Sequence, residues 1–225
     1  MRRVVAFTRT TVGKKVLVAV TGFILLGFVI VHMIGNLKAF QGADYFDHYA
    51  EALRALGAPF FGHGQALWLF RVVLLAAVGI HAWFGITLWL LSNRARPVGY
   101  KKEPHLEVSA TSRLQRWGGL LIGAYVVYHI LHFTTGSVHP QFVAGKAYSN
   151  MVIGFESLFA SAAYVVAVAI LALHLYHGTW SGLQTLGLNH PRYNPWRRAI
   201  AAVLAIVLFV GFASVPLAVQ LGVLK

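Results

Sequence analysis

The chain has 225 residues, of which 58% are hydrophobic and 11% charged, with a net charge of +13 and no cysteine. This is more apolar surface than a water-facing globule can bury, so the composition excludes an ordinary soluble domain and points to an integral membrane protein. Without cysteine there can be no disulfide, no thiolate-held zinc or iron–sulfur cluster and no Cys-x-x-Cys-His haem attachment. Nitrogen ligands are left for any redox centre. The basic residues lie between apolar runs rather than along one face, so membrane topology explains them and nucleic acid is not an expected partner.

Met1 to Lys15 is basic and leads into the apolar run Val16 to Ile34. That run is long for a signal-peptide core and no small-residue cleavage site follows it, so it reads as a retained first helix. Four further runs can cross a bilayer at roughly 20 residues per crossing: Ala66 to Leu91, Trp117 to Phe133, Leu158 to Tyr176 and Ala199 to Leu224. The third is short and is expected to extend a turn at either end. Continuous apolar runs without turn signals predict helices rather than barrel strands. The expected fold is therefore an all-α integral membrane protein of one domain, 1–225, with a basic N-terminus at 1–15 and helices at about 16–36, 64–92, 113–135, 156–182 and 198–222. Pro216 predicts a kink in the last.

Lysine and arginine in the flanks set the orientation. One side carries fourteen: Arg2, Arg3, Arg9, Lys14, Lys15, Arg94, Arg96, Lys101, Lys102, Arg113, Arg116, Arg192, Arg197 and Arg198. The other carries Lys38, Arg54, Lys146 and Lys225, while Arg71 falls within the second run. The N-terminus is thus expected in the cytoplasm and the C-terminus outside. Asp44, Asp47, Glu51 and Glu156 lie outside, against Glu103 and Glu107 inside. The outer stretch DYFDHYAEALRAL is periodic enough for a short surface helix, and the proline-punctuated NRARPVGYKKEPHLE and GLNHPRYNPWRR read as inner loops.

Histidine is costly inside a membrane helix and marks a functional site by default. His32, His81, His129 and His174 each sit within an apolar run. With about 1.5 Å of rise per residue, His32 lies roughly 24 Å and His129 roughly 18 Å from the cytoplasmic end of its run, while His81 lies roughly 15 Å from that end. His174 lies roughly 24 Å from the outer end of the fourth run, so it too is inner. Depth pairs His32 with His129 and His81 with His174. His81 and His174 are each followed four residues later by a glycine, Gly85 and Gly178, on the same helix face. That spacing clears room for a flat macrocycle. Two histidines on facing helices would give a six-coordinate haem, which transfers electrons rather than binding oxygen.

The plain alternative for each is an interhelical hydrogen bond. It is the expected reading for His132 and His177, each three residues from a stronger candidate, with propionate or quinone contacts as their other option. His48, His63, His105, His139 and His190 fall in loops and are expected to be solvated. Arg71, a turn and a half inside the membrane, needs a partner: haem propionates, or water reached by snorkelling.

The segments VIVHMIGN, VGIHAWFGI, YVVYHILHF and LALHLYHGTWSGLQTLG together resemble the cytochrome b membrane subunit of succinate dehydrogenases and fumarate reductases, in its single-chain form with five helices and two haems. The likeness runs from about Thr10 to Val223, and HLYHGTWSGLQTLG is its most specific part. The resemblance implies a helical bundle enclosing two b-type haems. His32 and His129 would hold the distal haem, and His81 and His174 the proximal one. Arg71, His132 and His177 are the further candidates, from their own positions in the runs, for contacts to haem propionates or to the ligands. It further implies a membrane quinone, menaquinone or ubiquinone, as electron acceptor, with Asp44, Asp47 and Glu51 as loose counterparts of an acidic residue near its site.

The same resemblance implies two partners on the cytoplasmic face, a flavoprotein carrying FAD and an iron–sulfur subunit, and places the chain in the bacterial inner membrane and its respiratory chain. Some menaquinol-linked fumarate reductases place a glutamate two residues before the fourth-helix ligand; here that position is Ala172. The expected role is electron transfer and quinone reduction, because no carboxylate dyad, activated nucleophile or phosphate loop is present for dicarboxylate chemistry. The rivals are the cytochrome b subunit of a hydrogenase or formate dehydrogenase, a histidine-dependent transporter and a cofactor-free scaffold. The fifth helix and HLYHGTWSG argue against the first. The membrane runs contain no aspartate or glutamate, which disfavours the second.

Overall fold

A computed structural model describes residues 2–95 and 107–225. The loop charges Arg96, Lys101, Lys102 and Glu103, together with His105, lie outside the described residues, as do the side chains of 2–5 and 107–113. The helices are α1 Arg2–Arg9, α2 Thr11–Leu37, α3 Ala43–Arg54, α4 Gln65–Arg94, α5 Glu107–His129, α6 Ala147–Glu156, α7 Leu158–Thr185 and α8 Asn194–Gln220. A 3₁₀ turn, Lys38–Gln41, extends α2, and a π-helical turn, Ile130–Thr134, extends α5. There is no strand among the described residues. Five segments are long and apolar enough to cross a membrane: Thr11–Gln41, Gln65–Arg94, Leu114–Thr134, Leu158–Thr185 and Asn194–Gln220. This is the architecture of a multi-pass membrane protein.

Local chemistry sets the helix ends. Thr10 Oγ1 accepts from the Gly13 amide at 2.9 Å and caps α2, Ser157 Oγ does the same for α7 from Ala160, and Pro195 opens α8. Gly42 and Gly64, with φ of 99° and 78°, take the left-handed backbone that lets the chain turn into α3 and α4. Pro216 lies inside α8, which continues to Gln220.

α2 packs on α4, α7 and α8, and α5 packs on α7, whereas α4 barely meets α5. Small residues permit the close approaches: a Cβ at Gly211 of α8 would collide with Met33, and one at Gly182 of α7 would stand 3.1 Å from Phe23. α4 buries only Ala66 and Ala77, and no large side chain among the described residues is fully buried.

The densest packing lies at the end of the bundle where α2 finishes, beneath α3 and α6; this is termed the α3 end, and the opposite one the α1 end. Ala39, Tyr148, Met151, Val152, Phe155, Tyr164, Val215 and Val219 form its core. The periodic outer stretch forms α3 as expected. Helix α6 lies between the third and fourth expected spans, where the sequence reading placed no element. Its ten residues are too few to span, and its amides and carbonyls are bound from elsewhere. Asp47 Oδ1 accepts from the Tyr148 amide at 2.9 Å, and Gln220 Nε2 donates to the Phe155 and Glu156 carbonyls at 2.6 and 3.0 Å. Asn150 clamps Val143 through both its amide nitrogen and carbonyl. His139, expected in solvent, is buried at 6% exposure. Its Nδ1 accepts from the Gln141 amide, so Nε2 carries the proton and donates to the Asn150 carbonyl at 2.8 Å.

Candidate functional site

The four mid-span histidines meet in two pairs. His32 on α2 faces His129 at the end of α5, with ring centroids 5.8 Å apart and planes at 82°. His81 on α4 faces His174 on α7, with centroids 6.2 Å apart and planes at 59°. The pairs stand at different levels. His81 lies against Val18 and Thr21 of α2, and from Thr21 to His32 the helix rises about 16 Å. Along α7, Tyr164 touches His129, and from Tyr164 to His174 the rise is about 15 Å. Two separate helices therefore give the same spacing.

Neighbouring groups fix the proton on several of these rings. His81 Nδ1 lies 3.1 Å from the Val18 carbonyl and 3.3 Å from Thr21 Oγ1. A carbonyl only accepts, so Nδ1 holds the proton and Nε2 presents its lone pair. His174 Nε2 lies 3.2 Å from Gln115 Nε2. An amide nitrogen only donates, so this Nε2 also bears a lone pair, and the protonated Nδ1 is buried without a partner. At the other pair, Tyr164 Oη stands 3.3 Å from His129 Nδ1 and 3.1 Å from His132 Nδ1. One hydroxyl proton serves one ring only, so at least one of the two Nδ1 atoms donates to the oxygen. His32 is set by packing, stacked on Phe28 at 5.2 Å and tilted against Phe212 at 5.9 Å.

Glycines make room for the rings. A Cβ at Gly22 of α2 would come within 3.2 Å of His81 Cε1, and one at Gly119 of α5 within 3.5 Å of His174 Cε1. A Cβ at Gly85 would meet nothing within 4 Å, and one at Gly178 only Gln115 Nε2 at 3.9 Å. These openings lie beside the two histidines, as the four-residue spacing requires.

The residues fit a bis-histidine haem on three counts. A metal–imidazole bond of about 2 Å on each side of one iron, with the ring centre about 1 Å behind its nitrogen, separates the ring centres by about 6 Å. The observed 5.8 and 6.2 Å lie at that span. All four rings are only half-buried in mid-span, whereas the hydrogen-bonded His132 is 3% exposed. His81 also holds an Nε2 lone pair free of a proton, while that of His174 accepts from Gln115. Comparison of the chain with protein-family models, curated proteins and solved structures finds no match.

The remaining expected site residues are scattered. Arg71 is half-buried and lies over the Trp68 ring at 4.9 Å, one turn earlier on α4. His132 is stacked on Tyr128 and bonded to Tyr164. His177 packs edge-on against Trp180 at 5.1 Å, with a buried Nδ1 that has no partner. Of the three outer-loop acids, Asp47 caps α6 and Asp44 is exposed in the first turn of α3. Glu51 is exposed between Arg54 at 2.9 Å and His63 at 2.8 Å, and hydrogen bonds from His63 and then Arg54 hold its carboxyl below the ordinary value. Sequence reasoning missed Tyr164, Gln115, Gly22 and Gly119. Their only signal is a polar or small residue in an apolar run, and which ring each meets depends on how the helices are aligned.

Proposed function

We propose that this chain is the two-haem cytochrome b membrane anchor of a succinate:quinone oxidoreductase, accepting electrons from an iron–sulfur partner and delivering them to a membrane quinone. The observation that carries the reading is the juxtaposition of two histidine pairs, on α2 with α5 and on α4 with α7, at the ring separations of axial ligands. The likeness of the four histidine segments to that family supplies the complex.

In this reading His32 and His129 hold one haem b, and His81 and His174 the other. When bound, each haem supplies reversible one-electron transfer. The chain's own residues do the rest. Val18 and Thr21 keep the proton of His81 on Nδ1, so that its Nε2 stays a ligand. Tyr164 orients His129, and the apolar faces of α2, α4, α5 and α7 keep water from both pairs. The N-terminus faces the cytoplasm by the excess of basic residues at the α1 end, where the iron–sulfur subunit and the FAD-carrying flavoprotein dock. Dicarboxylate chemistry belongs to those partners. Menaquinone or ubiquinone is reduced at the α3 end, where Asp44 and Glu51 are the exposed acids and Asp47 serves α6.

Single-ligand variants test the assignment. His81→Ala and His174→Ala should each remove one haem, halving the reduced b-band absorbance, and His129→Ala should remove the other. His177→Ala should retain both. Loss of a haem in His177→Ala with retention in His174→Ala would overturn the ligand set.

A further inference from the structure

All four buried side-chain polar atoms without a partner among the described residues lie on α7 and α8 toward the α1 end: His174 Nδ1, His177 Nδ1, Asn194 Oδ1 and Arg197 Nε. His174 belongs to the pair already described. His177 and Arg197 gather around Trp180. His177 packs on its ring at 5.1 Å, while the guanidinium carbons of Arg197 and Arg198 stand 6.0 and 5.6 Å from its centroid. Arg197 is 6% exposed, and Nη1 donates to the neutral Leu188 carbonyl at 2.7 Å. The described acidic side chains, Asp44, Asp47, Glu51 and Glu156, are carried by α3 and α6 at the opposite end. A buried guanidinium needs a counter-charge, and this one has none among the described side chains.

We propose that Arg197, Arg198 and His177 form a site around Trp180 for the phosphate of an anionic phospholipid. The partners are suited to an oxyanion: Arg197 Nε and His177 Nδ1 lie buried and unbonded beside the indole, and Arg198 is exposed at the rim. The position suits a lipid. Trp196, 71% exposed, stands at the start of α8 and Trp180 near the end of α7, a level where indoles mark the headgroups and basic pockets between helices take acidic headgroups. The proposal does not rest on the haem assignment.

The test is native mass spectrometry of the purified full-length chain, delipidated and titrated with phosphatidylglycerol or phosphatidylcholine. Wild type should hold one phosphatidylglycerol in preference. Arg197→Gln and Arg198→Gln should each weaken it about fivefold while leaving phosphatidylcholine unchanged. Arg94→Gln, on α4, should change neither, and excess inorganic phosphate should not displace the lipid. Arg197→Lys should keep most of the preference; should Arg197→Gln lose helical circular dichroism, Arg198→Gln decides. Equal affinity for the two lipids, or a preference that survives the folded glutamine variants, overturns the proposal. So does displacement by inorganic phosphate. If Arg197→Gln lowers haem content with the lipid preference intact, the guanidinium serves haem carboxylates and the proposal falls.

Discussion

Tyr164 controls more of the candidate site than any residue outside the histidine pairs. It is 5% exposed and its one hydroxyl joins His129 to His132. Were His129 to hold a haem through Nε2, its proton would lie on Nδ1 and donate to the tyrosine oxygen, leaving the tyrosine proton for His132 Nδ1. A hydrogen bond of this kind makes the ligand more basic and favours the oxidised metal. Tyr164→Phe should therefore keep both haems and raise one midpoint potential by about 40 mV, the equivalent of a hydrogen bond of about 1 kcal/mol in a one-electron couple. A redox titration monitored in the visible reads this, and an unchanged pair of potentials would remove Tyr164 from the site. The histidines were legible in the sequence because helical rise alone orders residues by depth. Tyr164 was not, because its role depends on which face of α7 meets α5. Glu51 supports a pH prediction. Its carboxyl is depressed from the ordinary 4.5 by His63 and then Arg54, so its contribution is complete above that value and fades as pH falls through the lower folded value. In a carbon-detected NMR titration, His63→Ala should move the Glu51 midpoint up, and high salt should shrink the difference.

Among the elements, α6 departs most from the sequence reading. Ten residues with apolar character fit neither a crossing nor a surface helix, so the sequence offers no element there, although Met151, Val152 and Phe155 all belong to the core of the α3 end. What fixes it is remote in sequence: Asp47 at its first turn, His139 and Val143 on Asn150, and Gln220 at its last carbonyls. Asp47→Ala leaves the Tyr148 amide without its acceptor and should cost about 1 kcal/mol. This would appear as a lower thermal midpoint and faster proteolysis between 136 and 157, with Asp47→Asn losing less. A variant as stable and as resistant as wild type would show that α6 is held by packing alone. The five crossings were legible because long apolar runs answer one constraint, satisfaction of backbone groups in lipid. Two ends lie clearly further out than expected, α2 starting at Thr11 and α7 running to Thr185, because caps and polar helical turns lie beyond the apolar runs.

At the scale of the whole molecule, each histidine pair joins two different spans, α2 with α5 and α4 with α7, at levels about 15 Å apart. The central claim is that each chain binds two haem b groups, and a pyridine haemochrome assay of the purified chain, with protein quantified by amino-acid analysis, tests it most directly. The account predicts two b-type haems per chain, each reducible by dithionite. A chain that is folded and free of haem, or that holds a single haem insensitive to loss of either histidine pair, would contradict it.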